Sequence, residues 1–519
     1  MTIPRSQLPI NCELFSPLPT PHSQQFDVIV IGSGIGGLVT ATQLAAKGAK
    51  VLVLERYLIP GGSAGYFERQ GYRFDVGASM IFGFGQEGTT NLLTRALEAV
   101  NVSLETIADP VQIHYHLPNN LDLKVERVYE KFLQNLIAYF PHEVKGIRSF
   151  YDECWKVFNC LNSMELLSLE EPGYLSRAFL RHPLACLGLV KYLPRNVGDV
   201  AKRHIKDPEL LKFIDIECYC WSVVPAGMTP MINAGMVFSD RHYGGVNYPK
   251  GGVGQIAQKL AEGLIKTGGE IHYRARVTKI LTQKGRAVGV QLADGKVYYG
   301  KKIVSNATRW DTFEKLLSTN PVPRTEKKWQ QRYEKSPSFL SLHMGVKAEV
   351  LPPSTECHHI LLEAWEKMAA REGTIFVSIP TLLDPSLAPI GNHIIHSFTP
   401  SWIDDWDSLS SSEYKEKKEA AAARIIQRLD KIFPGIDAGL DYLEIGTPRT
   451  HRRFLGRQDG TYGPIPRYKL SGLLGMPFNR TAIPDLYCVG DSTFPGQGLN
   501  AVAFSGFACA HRIAVDLRL

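Results

Sequence analysis

The run Phe26-Asp-Val-Ile-Val-Ile-Gly32-Ser33-Gly34-Ile-Gly36-Gly37, followed eighteen residues after Gly37 by Glu55, constrains this chain more than any other feature. Val28 to Ile31 reads as a buried parallel strand. Gly32 permits a tight turn, Gly34 a close approach of backbone to a ligand, and Gly37 close packing of the next helix on its strand. That helix is predicted from about Gly36 to Lys47, with the positive end of its dipole at the turn, where a diphosphate would sit. A second strand, Lys50 to Glu55, ends on a carboxylate able to accept both hydroxyls of a ribose. A bare glycine triplet is a weak signal. With a strand before it, a helix after it and the acid at this distance, it reads as a dinucleotide site and not as a packing turn.

A second glycine-rich stretch closes the chain: Leu486-Tyr-Cys-Val-Gly490-Asp491-Ser-Thr493-Phe-Pro-Gly496-Gln-Gly498-Leu-Asn-Ala501-Val502. A short apolar strand ends in Gly-Asp, and a glycine turn opens a helix predicted over about Asn500 to Asp516. Asp491 can hydrogen-bond ribitol hydroxyls, and the helix N-terminus can stabilise negative charge on a reduced flavin. A purely structural turn is the competing reading. The two motifs together imply a composite site long enough for FAD, which a nicotinamide cofactor alone does not explain. Between them, Gly61-Gly62-Ser63-Ala-Gly65 and Gly71-Tyr-Arg-Phe-Asp75-Val-Gly77-Ala78 place backbone against something flat or anionic, unless turns alone use these glycines.

At 519 residues the chain is too long for one simple core. Its 44% hydrophobic and 21% charged residues are those of an ordinary globular protein. The net charge of +7 is spread without a basic tract, so no nucleic-acid partner is expected. The nine cysteines are odd in number and scattered, as in a reducing, cytosol-facing environment. Cys218-x-Cys220 and Cys357-His358-His359 hint at metal, but neither has a second ligand pair at zinc spacing. Buried or loop thiols are the expectation, and no metal. Residues 1–25 carry five prolines and read as a flexible leader, not a signal peptide. No apolar stretch is long enough to span a membrane.

Three- and four-residue apolar spacing predicts helices over 92–100, 128–139 and 147–166. The α/β pattern resumes with a helix over 255–267 and strands at 270–276, 277–282, 287–292 and 296–299, then Ile303 to Ala307. An exposed charged helix is expected over 411–429. These readings give an α/β protein with a Rossmann-type FAD-binding fold and a mixed α+β, largely helical substrate domain. The FAD-binding domain is discontinuous (26–100, 245–310 and 475–519). The substrate- and membrane-contacting domain comprises 101–244 and 311–474.

The string from Gly32 through Glu55, Gly61-Gly62 and Asp75-Val-Gly77, closed by Val489-Gly490-Asp491, resembles the phytoene desaturase and amine oxidase class of flavoproteins. Within that class the chain is most similar to the carotenoid isomerases of cyanobacteria and plastids. Gly61-Gly-Ser-Ala-Gly-Tyr-Phe, Ala78-Ser-Met-Ile-Phe-Gly, His242-Tyr-Gly-Gly-Val-Asn-Tyr-Pro-Lys-Gly-Gly and Arg457-Gln-Asp-Gly-Thr-Tyr-Gly463 carry this closer similarity. The resemblance covers essentially everything after residue 26. It implies conversion of poly-cis-lycopene to all-trans-lycopene, with FAD in its reduced form and no net oxidation. The electron donor is not identified, and NAD(P)H is an indirect reductant at most. Carried over by residue, Gly32, Ser33, Gly34, Gly36 and Gly37 line the pyrophosphate. Glu55 and the adjoining Arg56 serve the adenosine end, and Gly61, Gly62 and Ser63 pass beside the phosphates. Asp75, Gly77 and Ala78 approach the flavin ring, and Val277 meets adenine through its backbone. Gly490 and Asp491 hold ribitol, and Ala501 and Val502 face the flavin pyrimidine. The class often places arginine where Ser63 stands, so a phosphate-contacting arginine does not carry over.

No acid–base side chain is named by the residues. Asp215 and Glu217, in an otherwise apolar stretch, suggest themselves, with ordinary helix-surface carboxylates the expected reading. Thr461-Tyr462-Gly463 reads equally well as a ring neighbour or as a turn. At about 0.8 kcal/mol per buried carbon, a forty-carbon hydrocarbon costs on the order of 30 kcal/mol to place in water. Such a substrate must come from a membrane. Tyr174 to Arg195, an apolar body flanked by Arg177, Arg181, Lys191 and Arg195 and interrupted by Pro183, suits a dip into anionic lipid; an ordinary buried helix pair is the alternative. The expected location is peripheral, on the cytoplasm-facing side of a cytoplasmic or thylakoid membrane. A carotene desaturase, a polyene saturase, a soluble amine oxidase and a non-catalytic lipid-escort protein are the other readings of the same scaffold.

Overall fold

A computed structural model describes residues 25–77, 79–317 and 321–519. The leader expected over residues 1–25 lies outside the described residues apart from residue 25, and so does Ala78.

The opening motif folds as its spacing requires. Phe26–Ile31 is a strand with almost every side chain buried, because it is central and covered on both faces. It pairs in parallel with Val51–Leu54 on one side and with Val297–Ser305 on the other. The seven-stranded sheet runs Val277–Gln283, Arg286–Leu292, Val297–Ser305, Phe26–Ile31, Val51–Leu54, Glu270–His272, with Leu486–Cys488 also pairing with Val297–Ser305. All seven strands come from 26–100, 245–310 and 475–519.

Val297–Ser305 is a single nine-residue strand where the sequence pattern predicts two short ones. Lys301 and Lys302 interrupt its apolar pattern, but Lys301 pairs with Asp27 (2.7 Å) and Lys302 with Asp485 (2.6 Å), so the strand continues through them. Its first half is antiparallel to Arg286–Leu292, and its second half is parallel to the dinucleotide-type strands. The predicted strand over 270–276 is shorter, Glu270–His272.

Helices Ile35–Ala45 and Leu499–Leu517 pack along one another. Contact is closest at Gly506, where a Cβ would stand 2.9 Å from the Gly36 carbonyl oxygen. Gly254–Lys266 packs against Ile35–Ala45 as well.

A second seven-stranded sheet runs Leu440–Gly446, Ser338–Lys347, Asn392–Ser401, Ile375–Ser378, His358–Leu361, Val111–Leu117, Leu121–Glu126. Its pairs are antiparallel except His358–Leu361 with Val111–Leu117. Five of these strands come from 311–474, which therefore supplies sheet more than helix. Helix Ser411–Leu429 covers one side through Ala421, Ile425 and Leu429, against Leu340, Leu342 and Ile395.

The stretch 101–244 is helical beyond its hairpin, with Tyr129–Tyr139, Val144–Asn162, Pro172–Arg181, Pro183–Val190, Val197–His204, Pro208–Ser222 and Met231–Tyr243. The sequence reading of Asp215 and Glu217 as helix-surface carboxylates fails for Glu217, while Asp215 is partly exposed. Glu217 is fully buried and takes a bidentate hydrogen bond from the buried Arg241 (3.0 and 2.8 Å) and another from the Tyr115 hydroxyl (2.6 Å). Asp215 accepts from the Ala226 backbone N–H (2.9 Å), and burial raises its carboxyl above the usual range. Each closes a structural contact within the helical layer.

Candidate functional site

Two turns some 450 residues apart in the chain meet around one asparagine. Gly32 has φ +92°, which turns the chain out of its strand. A Cβ on Gly37 would stand 2.4 Å from the Gly32 carbonyl oxygen, so no other residue lets the helix sit this close. Gly34 forms an isolated parallel bridge with Gly61, and the Gly61 N–H donates to the Ser33 carbonyl (2.9 Å). On the far side, a Cβ on Gly36 would lie 3.2 Å from the Gly490 nitrogen and 3.1 Å from a Val502 methyl. The Asn306 side chain lies between, within 4 Å of the Cβ position at Gly32, Gly34, Gly36, Gly37 and Gly490. Sequence reasoning included Asn306 in the segment Ile303 to Ala307 but gave it no role, because its importance depends on segments remote in the chain.

Glu55 is buried at the end of its strand. One carboxylate oxygen accepts from the Ser33 N–H (2.8 Å) and Ser33 hydroxyl (2.7 Å), the other from the Tyr57 N–H (2.7 Å). The acid is thereby fixed beside the glycine turn. The chain leading into Val277 passes it, since the Ala275 N–H donates to the Glu55 carbonyl (2.8 Å). Arg56 is directed elsewhere, with its guanidinium donating to the Arg453 carbonyl (2.9 Å).

Gly61 and Gly62 both have positive φ, and among the described residues a Cβ on Gly62 would meet only Gly34 Cα, at 3.7 Å. The Ser63 carbonyl comes within 3.1 Å of the Cβ position on Gly77, and the Tyr462 hydroxyl within 3.6 Å of it. Tyr462 therefore lies beside the Asp75–Gly77 segment. Asp75 is buried and accepts from the Tyr248 hydroxyl (2.7 Å) and the Val253 N–H (2.9 Å); burial pushes its carboxyl up to about 6.

The Gly490 N–H donates to the Ser505 hydroxyl (3.2 Å), and the Ser492 hydroxyl accepts from the Arg309 N–H (2.9 Å), which together fix the second turn. Asp491 accepts from the Arg457 guanidinium, both side chains being mostly buried. Arg457 belongs to a motif legible in the sequence, yet its pairing with Asp491 was not expected. Ala501 and Val502 lie in the first turn of Leu499–Leu517, behind Gly498, where a Cβ would meet nothing within 4 Å among the described residues.

The face of the second sheet nearest Asp75 is built of rings. His343 Nε2–H donates to the Asp75 carbonyl (3.1 Å), stacks on His396 with centroids 4.3 Å apart, and meets Phe67 at 4.9 Å. Burial, with the neighbouring His451, lowers His343 to about 3, and burial lowers His451 to about 4. These imidazoles are neutral at physiological pH. Tyr462, Phe339, Phe398 and Phe376 follow in contact at 5.0, 5.0 and 4.9 Å, and each is only partly buried.

The structure thus gathers Gly32, Ser33, Gly34, Gly36, Gly37, Gly61, Gly62, Gly490 and Val502 in one place, with Glu55 and Val277 at one end and Gly77 with Tyr462 at the other. Bare backbone at Gly34, Gly61, Gly62 and Gly498, beside a helix N-terminus and two carboxylates, fits a flavin dinucleotide.

The comparisons agree with that geometry. Residues 35–514 match the family described as flavin containing amine oxidoreductase, and the chain belongs to it. An oxidoreductase from Methanosarcina mazei has the same fold, with a TM-score of 0.62 over 93% of this chain and 99% of its own, at 20% identity. Among curated relatives, prolycopene isomerase 1 (chloroplastic) of an Oncidium hybrid cultivar is 60% identical over 96% of this chain and 85% of its own length. The chloroplastic prolycopene isomerase of Arabidopsis thaliana is 60% identical over 95% of this chain and 83% of its own. Within the flavoprotein family, the chain groups with the prolycopene isomerases.

Proposed function

We propose that this chain is a carotenoid cis–trans isomerase that converts poly-cis-lycopene to all-trans-lycopene, using reduced FAD without net redox change. The observation that carries the reading is the meeting of the two glycine turns around Asn306, in a chain 60% identical to prolycopene isomerases. Reduced flavin, held by these residues, would supply electron density able to lend a polyene double bond transient single-bond character without net redox change.

The chain's own residues hold and orient. Gly34, Gly36, Gly61 and Gly62 cradle the diphosphate, and Glu55 takes the ribose. Asp491, held by Arg457, takes the ribitol. The Arg457 guanidinium and the N-terminus of Leu499–Leu517 place positive potential where a reduced ring carries negative charge. The row from Tyr462 through Phe339 and Phe398 to Phe376 offers flat apolar surface to a conjugated chain, and the neutral His343, His396 and His451 behind it add no charge.

The substrate is taken from a membrane surface by the helix pair Pro172–Arg181 and Pro183–Val190. Pro183 breaks the pair, and the second helix buries none of its residues. Leu180 is 79% and Leu184 83% exposed, with Leu175, Phe179, Leu187 and Val190 also outward. Arg181 and Arg195 have no carboxylate partner among the described residues, which leaves them to anionic headgroups. Among the described residues no helix is long and apolar enough to cross a membrane, and a peripheral, cytoplasm-facing attachment fits this surface.

The test is anaerobic. FAD-loaded protein, reduced with dithionite or through an NAD(P)H-dependent donor, is mixed with poly-cis-lycopene in liposomes. All-trans-lycopene should exceed flavin many-fold with no flavin oxidation, and oxidised enzyme should be nearly inactive. One product per flavin, or product in proportion to an added quinone, would make the chain a desaturase. Gain of hydrogen would make it a saturase.

A further inference from the structure

The Cys357-His358-His359 string has a second role that no spacing along the chain reveals. His358–Leu361 pairs in parallel with Val111–Leu117, with His359 opposite His114 and Leu361 opposite His116. Because alternate residues of a strand share a face, His114, His116 and His359 lie on the same side of the sheet. Their ring centroids are 4.1, 5.3 and 5.4 Å apart. One nitrogen from each ring lies within 4.8 Å of the other two.

The remaining nitrogens are already engaged. Asp122, on the adjoining edge strand, accepts from His114 Nε2 (2.7 Å) and from His116 Nδ1 (2.8 Å). The Glu356 carbonyl accepts from His359 Nε2 (2.8 Å). With those three protons placed outward, His114 Nδ1, His116 Nε2 and His359 Nδ1 present lone pairs to one another. His114 Nδ1 is buried without a hydrogen-bond partner, and His116 Nε2 is 3.0 Å from His359 Nδ1. Tetrahedral ligands at about 2.0–2.1 Å from a zinc ion stand roughly 3.3 Å apart. Metal-bound imidazoles almost always donate their second N–H to a carboxylate or carbonyl, which fixes the tautomer. All three rings meet that condition here.

We propose that His114 Nδ1, His116 Nε2 and His359 Nδ1 bind a divalent first-row transition ion of the zinc class, with Asp122 and the Glu356 carbonyl positioning the rings. Three imidazoles suit Zn²⁺ and its neighbours in that row better than Mg²⁺ or Ca²⁺, which take oxygen ligands. His114 and His116 are 13% and 21% exposed in their side chains, which provides a path for entry. Lys124, opposite His114 in the hairpin, is neutralised by Glu356 (2.6 Å) and does not oppose the ion. The parallel pairing here spans three residue pairs, so an ion at this point staples the edge hairpin Val111–Glu126 to the rest of the second sheet. The hairpin's other face holds Tyr115 against Glu217, which ties the staple to the helical layer. The Asp109, Cys357 and His358 group is a separate, buried cluster.

The experiment uses full-length, FAD-loaded protein stripped with EDTA and dialysed. Titration with Zn²⁺ by calorimetry should give one equivalent per chain at micromolar affinity or better, and Co²⁺ should give the visible d–d bands of a low-coordinate nitrogen site. His116→Gln and His359→Ala should each weaken binding at least hundred-fold. Asp122→Asn should weaken it by about 10–100-fold, and Cys357→Ala should leave it unchanged. His116→Gln lies at a partly exposed position, and unchanged FAD content with a normal far-UV spectrum will show that it folds. Less than a tenth of an equivalent bound would overturn the proposal, in favour of a proton shared between His116 and His359. Binding that survives His116→Gln, or that is lost in Cys357→Ala, would overturn it equally.

Discussion

Substituting two glycines of the first turn by alanine separates the roles assigned to them. At Gly37 the new methyl would sit 2.4 Å from the Gly32 carbonyl oxygen. That oxygen belongs to backbone held at φ +92° and cannot rotate away. Relief requires lifting helix Ile35–Ala45 off a strand whose neighbours Leu38 and Val39 are fully buried. Overpacking of this kind costs about 1–3 kcal/mol and occasionally more; with backbone as the obstacle, we expect at least about 3 kcal/mol from apoprotein stability. At Gly34 the methyl would lie 2.6 Å from Asn306 Nδ2 but 3.7 Å from its Cγ. A rotation of that amide removes the clash for about 1 kcal/mol. Apart from that amide and its own chain neighbours, the methyl meets no described heavy atom within 4 Å, and it enters the open space proposed for the diphosphate. FAD affinity should therefore fall by about 1–3 kcal/mol, or about five- to 150-fold, while the apoprotein stays nearly as stable as wild type. Urea unfolding of apoprotein and calorimetric FAD titration measure the two quantities separately. Gly34→Ala/Asn306→Ser removes the amide and should keep the flavin defect. The reasoning fails if Gly34→Ala binds FAD within twofold of wild type, or if it destabilises the apoprotein as much as Gly37→Ala does.

Glu55→Ala should weaken FAD by about 1.5–3 kcal/mol and also destabilise the apoprotein by about 1–3 kcal/mol, because the buried Ser33 N–H loses its acceptor; equal apo and wild-type melting would refute this. Asp75 is raised to about 6 in the fold, so its contribution is fully present below its unfolded value near 3.8 and is lost as pH rises through 6, a swing of about 3 kcal/mol. Asp75→Asn should abolish that difference; the depressed histidines act in the opposite sense in both proteins and cancel, and identical pH–stability curves would count against it. Leu180→Asp with Leu184→Asp should reduce co-sedimentation with anionic liposomes at least tenfold while leaving FAD content intact, and unchanged binding would move the membrane surface elsewhere.

The flavin-binding half of this architecture is legible because it is local. Strand, turn, helix and acid follow within thirty residues, and each role of Gly32, Gly34 and Gly37 depends on its near neighbours. The second sheet is harder to read. Ser338–Lys347 and Asn392–Ser401 carry His343, His396, Ser341 and Ser397 at buried positions, which erases the apolar run that marks a central strand. Val297–Ser305 was split for the related reason that paired lysines interrupt it. Glu217 looked like a surface acid because its neutralising partner, Arg241, lies on another helix. Asn306, the Arg457–Asp491 pair and the three-histidine cluster share one cause: each exists only once strands far apart in sequence have been placed side by side.

Val297–Ser305 has a consequence for how the protein is made. Among the described residues it is the one strand that pairs with both Phe26–Ile31 and Leu486–Cys488. During synthesis Gly490, Asp491 and Val502 emerge some 450 residues after the first turn. Closing so long a span is slow, and it leaves apolar strand edges waiting for partners. On the proposed site, a nascent chain without the second turn can hold the adenosine end of the cofactor in outline but lacks the residues assigned to the flavin end. On the proposed site, tight flavin retention therefore reports that both turns have met, and a chain truncated before Leu486 should emerge colourless, however well its first motif has folded.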